Sequence, residues 1–317
     1  MTGGSKVAVV GAAGAIGAAV GAELDRRGQP YSVVGRDRTK LDRLFSGKAE
    51  IIPADVADPK QAERALAGAH TVIYAIGVPY PQFELHPILM RNTIEAAQRA
   101  GVARLAVISS VYSYGAPRTE RVSEDHLREP ETRKGRRRKE QEDIALAADR
   151  PALLRTLVLR LPDFYGPHAE ASLADQVFRG ALRNKPANWI GSPDVAHEFV
   201  FVPDVGPVVL DLASREDSFG QAWNFGGPGT ITGREFIAEA YRAAGREPKF
   251  RAVGPLALRL GGIFSPLLRE LVEMHYLATT PVILDDTKLR RHLGTVRKTP
   301  YPDGIRQTMS WYRERRL

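Results

Sequence analysis

The chain has 317 residues, of which 43% are hydrophobic and 26% charged, with a formal net charge of +8. It is therefore long enough for one large α/β domain with an appended lobe, or for two domains sharing an interface. It contains no cysteine, which excludes disulfides, thiolate catalysis and cysteine-ligated zinc or iron–sulfur clusters.

Near the N-terminus an apolar run, Val7 to Val10, leads into Gly11, Gly14 and Gly17 and then an alanine-rich helical pattern. This reads as strand, glycine turn and helix. Gly11 permits the tight turn, Gly14 lets the backbone approach a pyrophosphate, and Gly17 lets the helix pack on the strand. The first helical residues, Ala15 and Ile16, present N–H groups and the positive end of the helix dipole to that anion.

A second strand, Tyr31 to Val34, ends in Gly35-Arg36-Asp37, where a dinucleotide fold meets the adenosine ribose. An acidic residue there would bind both ribose hydroxyls, whereas the Arg36 guanidinium suits a 2′-phosphate. NADP(H) is the preferred cofactor on this reading, and Asp37, one residue further, keeps NAD(H) open. The alternation continues with a helix over 39–45, a strand over 50–53 and a helix over 59–66. Asp55 and Val56 lie where an adenine would be sandwiched, though Asp55 equally suits a turn cap before Pro59. A fourth strand over 71–75 carries Ala75, Ile76 and Gly77 under the cofactor, because ligands bind beyond the carboxyl ends of parallel strands. A long helix over about 85–101 and a fifth strand over 105–108 lead to Ser109-Ser110-Val111-Tyr112-Ser113-Tyr114-Gly115.

With this segment the sequence resembles the extended short-chain dehydrogenase/reductase family of nucleotide-sugar epimerases and dehydratases. Four other segments in family order carry the resemblance: the glycine turn, Leu159 to Pro167, His197 to Val205, and Trp223-Asn224-Phe225-Gly226-Gly227. It implies a Rossmann-type doubly wound parallel sheet with a smaller, discontinuous C-terminal substrate lobe. Residues 1–162 plus 198–226 would form the dinucleotide domain, and 163–197 plus 227–317 the lobe. A homodimer is implied by the same resemblance.

The family's chemistry uses a serine or threonine with a YxxxK pair, and Ser110 matches the serine that orients the reacting oxygen. The tyrosine is missing. In one alignment Lys134 takes its place and Arg138 that of the lysine; a register shifted by one puts Gly135 and Lys139 there instead. Three readings follow: Lys134 replaces the phenol as proton donor, a tyrosine enters from elsewhere (Tyr112, Tyr114 or Tyr165), or the cofactor is bound without turnover. The reaction classes are accordingly NADP(H)-dependent oxidoreduction of a small-molecule carbonyl or alcohol, a redox-neutral epimerase, dehydratase or isomerase, and a non-catalytic NmrA-like NADP(H)-sensing regulator.

Tyr112, Tyr165 and His168 are candidate substrate contacts, and His197 stands where the family has an arginine. The seven histidines show no metal-binding spacing, so no metal is expected. The basic run from Arg133 to Lys139, with Arg313, Arg315 and Arg316, reads as a solvated helix face and tail, without a nucleic-acid motif. An apolar stretch over 254–279 predicts one or two amphipathic helices that pack on the core, form an apolar lid or make a dimer surface. Arg259 and Pro266 exclude a membrane span within it. Met1 to Ser5 is too short and polar for a signal peptide, so a cytoplasmic protein is expected.

Overall fold

The computed structural model describes residues 6–170, 172–264 and 266–315. In chain order, β1 (Val7–Val10), α1 (Ala15–Arg26), β2 (Tyr31–Gly35), α2 (Arg38–Phe45), β3 (Glu50–Pro53), α3 (Pro59–Leu66), β4 (Thr71–Tyr74), α4 (Leu85–Arg99), β5 (Arg104–Ser110), α5 (Arg133–Ala147) and β6 (Arg155–Leu161) alternate. After these come β7 (Asp163–Tyr165), α6 (Asp175–Arg183), β8 (Ala187–Ile190), β9 (Ala196–Phe201), α7 (Val202–Ser214), β10 (Gln221–Asn224), β11 (Thr230–Thr232), α8 (Gly233–Ala243) and β12 (Phe250–Val253). Five helices close the chain: α9 (Pro255–Phe264), α10 (Pro266–Met274), α11 (Tyr276–Thr279), α12 (Thr287–Leu293) and α13 (Tyr301–Glu314).

Seven parallel strands form the central sheet in the order β10-β6-β5-β4-β1-β2-β3. The order reverses between β1 and β4, which opens a crevice above their carboxyl ends. Alternation along each strand explains why these runs are apolar throughout. Val7 and Val9 face a core shared with α1 and α7, while Ala8 and Val10 face one shared with α3 and α4. In β5, Ala106 and Ile108 take the first side, and Leu105 and Val107 the second. A sheet buried on both faces needs both sets of positions to be hydrophobic.

The remaining strands pair as β11-β9-β7 and β12-β8. They enclose an aromatic core of Tyr165, Phe178, Phe199, Phe201, Phe236, Tyr301 and Tyr312. Because β9 pairs with β7 and β11, the chain returns to the nucleotide-binding layer at α7 and not at residue 198. There α7 packs so closely on α1 that a Cβ at Gly206 would stand 2.7 Å from the Ala19 carbonyl oxygen.

The apolar stretch forms three helices, α9 to α11, where one or two were expected. It splits in its packing: Leu258, Leu271 and Met274 are buried, while Leu256, Leu260 and Ile263 of α9 are exposed. Phe264, Leu267 and Leu268, read as part of the same stretch, fall outside the described side chains, and Arg316 outside the described residues. Among the described residues no helix is long and apolar enough to cross a membrane.

Candidate active site

The glycine turn has the geometry its spacing predicts. Gly11 adopts φ +82, and a Cβ there would approach the Ala75 carbonyl within 2.8 Å, so the turn and the end of β4 touch backbone to backbone. At Gly17 a Cβ would stand 2.5 Å from the Gly11 carbonyl oxygen and from the Ala12 Cα, which fixes the helix against the turn. Gly14 differs: a Cβ there would meet only the Gly11 oxygen, at 3.4 Å. Gly14 is also the N-cap of α1 and supplies no side chain to the first N–H groups. Ala15 and Ile16 begin the helix above this opening, with Ala75, Ile76 and Gly77 across the crevice. The arrangement leaves room for a pyrophosphate at Gly14 and donors to hold it.

At the end of β2, Arg36 is exposed and has no hydrogen-bond or ion-pair partner among the described residues. Asp37 is the N-cap of α2, accepting the Lys40 N–H at 2.9 Å. The carboxylate that kept NAD(H) open is therefore engaged in holding the helix. Asp55 accepts the Ala57 N–H at 3.0 Å, the turn-capping role, with Val56 buried beside it. Asn92 of α4 donates to the Val56 and Ala57 carbonyls at 3.2 and 3.0 Å and so fixes this loop.

The carboxyl end of β5 holds Ser110. Helix α5 starts beside it, capped by Thr132, whose hydroxyl accepts the Gly135 N–H at 3.0 Å. A Cβ at Gly135 would fall 2.7 Å from the Tyr112 carbonyl oxygen, so this position cannot carry a catalytic side chain. The register follows from the contacts. Arg138 donates from Nε to the Ser110 hydroxyl at 3.3 Å and from Nη1 to Gln141 at 2.7 Å, and its Nη1 lies 3.2 Å from His86 Nδ1. Lys139 lies on the outer face of the helix, paired with Asp143 at 2.7 Å, and does not approach Ser110. Burial lowers the Arg138 guanidinium from its ordinary value and, with the Arg138 charge, holds His86 well below the imidazole range.

Lys134 is fully buried, and two carboxylates surround it. Its Nζ donates to Glu270 and, at 2.7 Å, to Glu273 of α10, and its backbone N–H donates to Glu273 at 2.9 Å. The ammonium also stands 5.7 Å from the Tyr80 ring centroid and 6.0 Å from that of Phe83. The basic run is thus not one solvated face: Lys134 and Arg138 point inward, while Arg133, Arg137 and Lys139 pair with Glu84, Glu140 and Asp143.

The tyrosines proposed as substitutes are differently placed. Tyr112 lies 3.0 Å, hydroxyl to hydroxyl, from Tyr80, and burial with the nearby Tyr80 and Asp163 charges pushes it well above its ordinary value. A proton-transferring phenol needs the opposite shift. Tyr114 donates to Asn224 at 2.8 Å and accepts from Arg160 at 2.7 Å, and Arg160 donates to the fully buried Glu142 at 2.9 Å. Glu142 also accepts from Ser109. Segments 109–115, 159–167 and 223–227 therefore meet in one structural network. Tyr165 is enclosed in the second lobe, its hydroxyl without a partner.

His168 packs edge-on against Trp311, with ring centroids 5.0 Å apart, away from the Ser110 cleft. Burial and the charges of Arg315, Lys40 and Arg43 lower it to about 4. His197, at the family arginine's place, lies against Trp189 and Phe199; burial lowers it to about 4, so it is neutral near pH 7. Among the described residues no group of three His, Asp or Glu side chains is placed to hold a metal.

Sequence reading missed Asp163, Tyr74 and Tyr276 and the side chains that surround Arg138 and Lys134: His86 and Gln141 at Arg138, and Tyr80, Glu270 and Glu273 at Lys134. Asp163 lay within a quoted segment, and Glu270 and Glu273 carry a signal in their i, i+3 spacing.

A model of the NAD dependent epimerase/dehydratase family matches residues 7–226. An uncharacterized protein, y4nL of Sinorhizobium fredii, is 25% identical over 298 residues, covering 86% of this chain and 82% of that protein. The solved structure of MoeE5 with UDP-glucose and NAD has a TM-score of 0.80 at 23% identity, covering 99% of this chain and 100% of that one. UDP-glucose 4-epimerase of Thermotoga maritima with UDP-glucose has a TM-score of 0.81 at 20% identity, covering 98% and 100%.

Proposed function

The chain belongs to the NAD dependent epimerase/dehydratase family, and from that premise we propose that it is an NADP(H)-dependent oxidoreductase acting on the carbonyl or alcohol of a small molecule. The observation that carries this reading is Ser110, held by Arg138 at the carboxyl end of β5 in the same crevice as the Gly14 opening. Gly11, Gly14 and Gly17, with the first N–H groups of α1, would hold the pyrophosphate. Arg36, without a partner among the described residues, would meet the 2′-phosphate. When bound, the dinucleotide supplies or accepts the hydride.

The serine hydroxyl accepts from Arg138 and so keeps its own proton for the substrate oxygen. The guanidinium behind it stabilises negative charge developing on that oxygen, an electrostatic role in place of phenolic proton transfer, and the alkoxide left by hydride addition takes its proton from solvent water. Lys134 is held by its two carboxylates and is a wall of the cleft. A nucleotide-diphosphate sugar is disfavoured as substrate, because neutral His197 offers no cation where the family has an arginine.

The test is substrate-dependent oxidation of NADPH across a panel of aldehydes and ketones. Turnover is expected in the native protein and at least about 100-fold less in Ser110→Ala, with NADPH affinity unchanged. Product formed with all NADPH returned would replace this reading by a redox-neutral isomerisation or dehydration. NADPH binding without any turnover would favour the sensor.

A further inference from the structure

Asp163 opens β7, two residues beyond Leu161, which pairs in register with Ser110. It therefore lies just beyond the carboxyl end of β6, the strand that neighbours the serine's strand β5 in the central sheet. It keeps some accessible surface and makes no hydrogen bond or ion pair among the described residues. Three phenols, Tyr80, Tyr112 and Tyr276, are close enough to feel its charge. Burial pushes its carboxyl up to about 6, with no cation acting on it in return. An ionised carboxylate so enclosed without a counter-charge is unusual, since buried charges are normally paired.

The aromatic wall is ordered. Phe83 stacks on Tyr80 at 5.5 Å and 8° and on Tyr112 at 6.3 Å and 24°, and the two tyrosine hydroxyls join at 3.0 Å. The Tyr276 hydroxyl is buried without a partner. The chain also shows how this wall receives a cation: the Lys134 ammonium stands over Tyr80 and Phe83 and is neutralised by Glu270 and Glu273. Tyr80 thus borders two carboxylate positions. One is filled by the chain's own ammonium; the other, Asp163, has none.

We propose that Asp163, with Tyr112, Tyr276 and the Tyr80–Phe83 wall, binds the ammonium group of an amine-bearing substrate. The compound oxidised or reduced at Ser110 is then a small organic cation, such as an amino ketone or amino alcohol. Aromatic faces beside a carboxylate attract such a group by cation–π and charge-assisted hydrogen bonding. This inference rests on the reading of the Ser110 cleft as the reaction site.

The probes are cyclohexylammonium and its neutral counterpart cyclohexanol, titrated at pH 7.5 by saturation-transfer NMR with and without NADPH. The ammonium should bind at least about tenfold more tightly in native protein. That preference should disappear in Asp163→Asn and persist in Glu140→Gln, a surface control, both checked for native circular dichroism. Equal binding of the two probes, or a preference retained in Asp163→Asn, overturns the proposal. NADPH titrated into the same samples keeps the two readings apart. NADPH binding without ammonium preference removes the substrate class and leaves the oxidoreductase reading standing; ammonium preference without NADPH binding does the reverse.

Discussion

The two sides of the crevice relate differently to the family pattern. On the β1–β2 side the constraints are steric and local: Gly11 and Gly17 approach neighbouring backbone so closely that no other residue fits, and Gly14 leaves a space. On the β5–β6 side the contacts are made by side chains from distant segments. Gly135 presses α5 against Tyr112, Arg138 reaches Ser110, and Lys134 is bound by Glu270 and Glu273 of α10. The first side is therefore held by backbone contacts and the second by side-chain electrostatics.

If this division is correct, substitutions on one side should leave the other's properties intact. The largest effect is expected from Gly17→Val, whose Cβ would sit 2.5 Å from backbone. It should cost about 3 kcal/mol of stability in urea unfolding and abolish dinucleotide binding in calorimetry. Lys134→Met should cost roughly 3 kcal/mol by removing the ammonium that Glu270 and Glu273 share, leaving Glu270 with Arg133, at 3.6 Å, as its remaining ion-pair partner among the described residues. The triple variant Lys134→Met, Glu270→Gln, Glu273→Gln should recover most of that loss. Neither should shift dinucleotide affinity by more than about twofold, and a larger shift would break the division.

The proton-dependent side has its own signature. Burial raises Asp163 from 3.8 to about 6, so its contribution favours the folded state below about pH 4 and is lost as the pH rises through 6. The stability difference between Asp163→Asn and native protein should therefore change by on the order of 2 kcal/mol between pH 4 and 7, with the variant gaining at the higher pH. A flat difference would mean that the carboxyl is not enclosed as described. Smaller again, Gly14→Val should leave the apo fold's stability within about 1 kcal/mol, because its Cβ meets one atom only at 3.4 Å. It should lower dinucleotide affinity about tenfold by filling the pyrophosphate's space.

What was legible in the sequence divides along the same line. The strand–helix alternation announced the nucleotide-binding layer and the glycine spacing announced its turn, because both depend on residues close in the chain. The place of Ser110 at the end of the fifth strand was read from its segment. The surroundings of Lys134 were not, since Glu270 and Glu273 come from more than 130 residues away, and the pull of two carboxylates is invisible from α5 alone. The same holds for His168: its place after Tyr165-Gly166-Pro167 pointed to the cleft, but tertiary packing sets it against Trp311. Asp163 stood in a recognised segment, and only three phenols from separate parts of the chain reveal its isolation.

The proposed NADP(H) preference, carried by Arg36 at the end of β2, is tested most directly by a calorimetric titration with NADPH and NADH. Native protein should bind NADPH at least about tenfold more tightly than NADH, and Arg36→Ala should remove that difference by weakening NADPH alone. Tighter binding of NADH, or equal loss of both cofactors in Arg36→Ala, would contradict it.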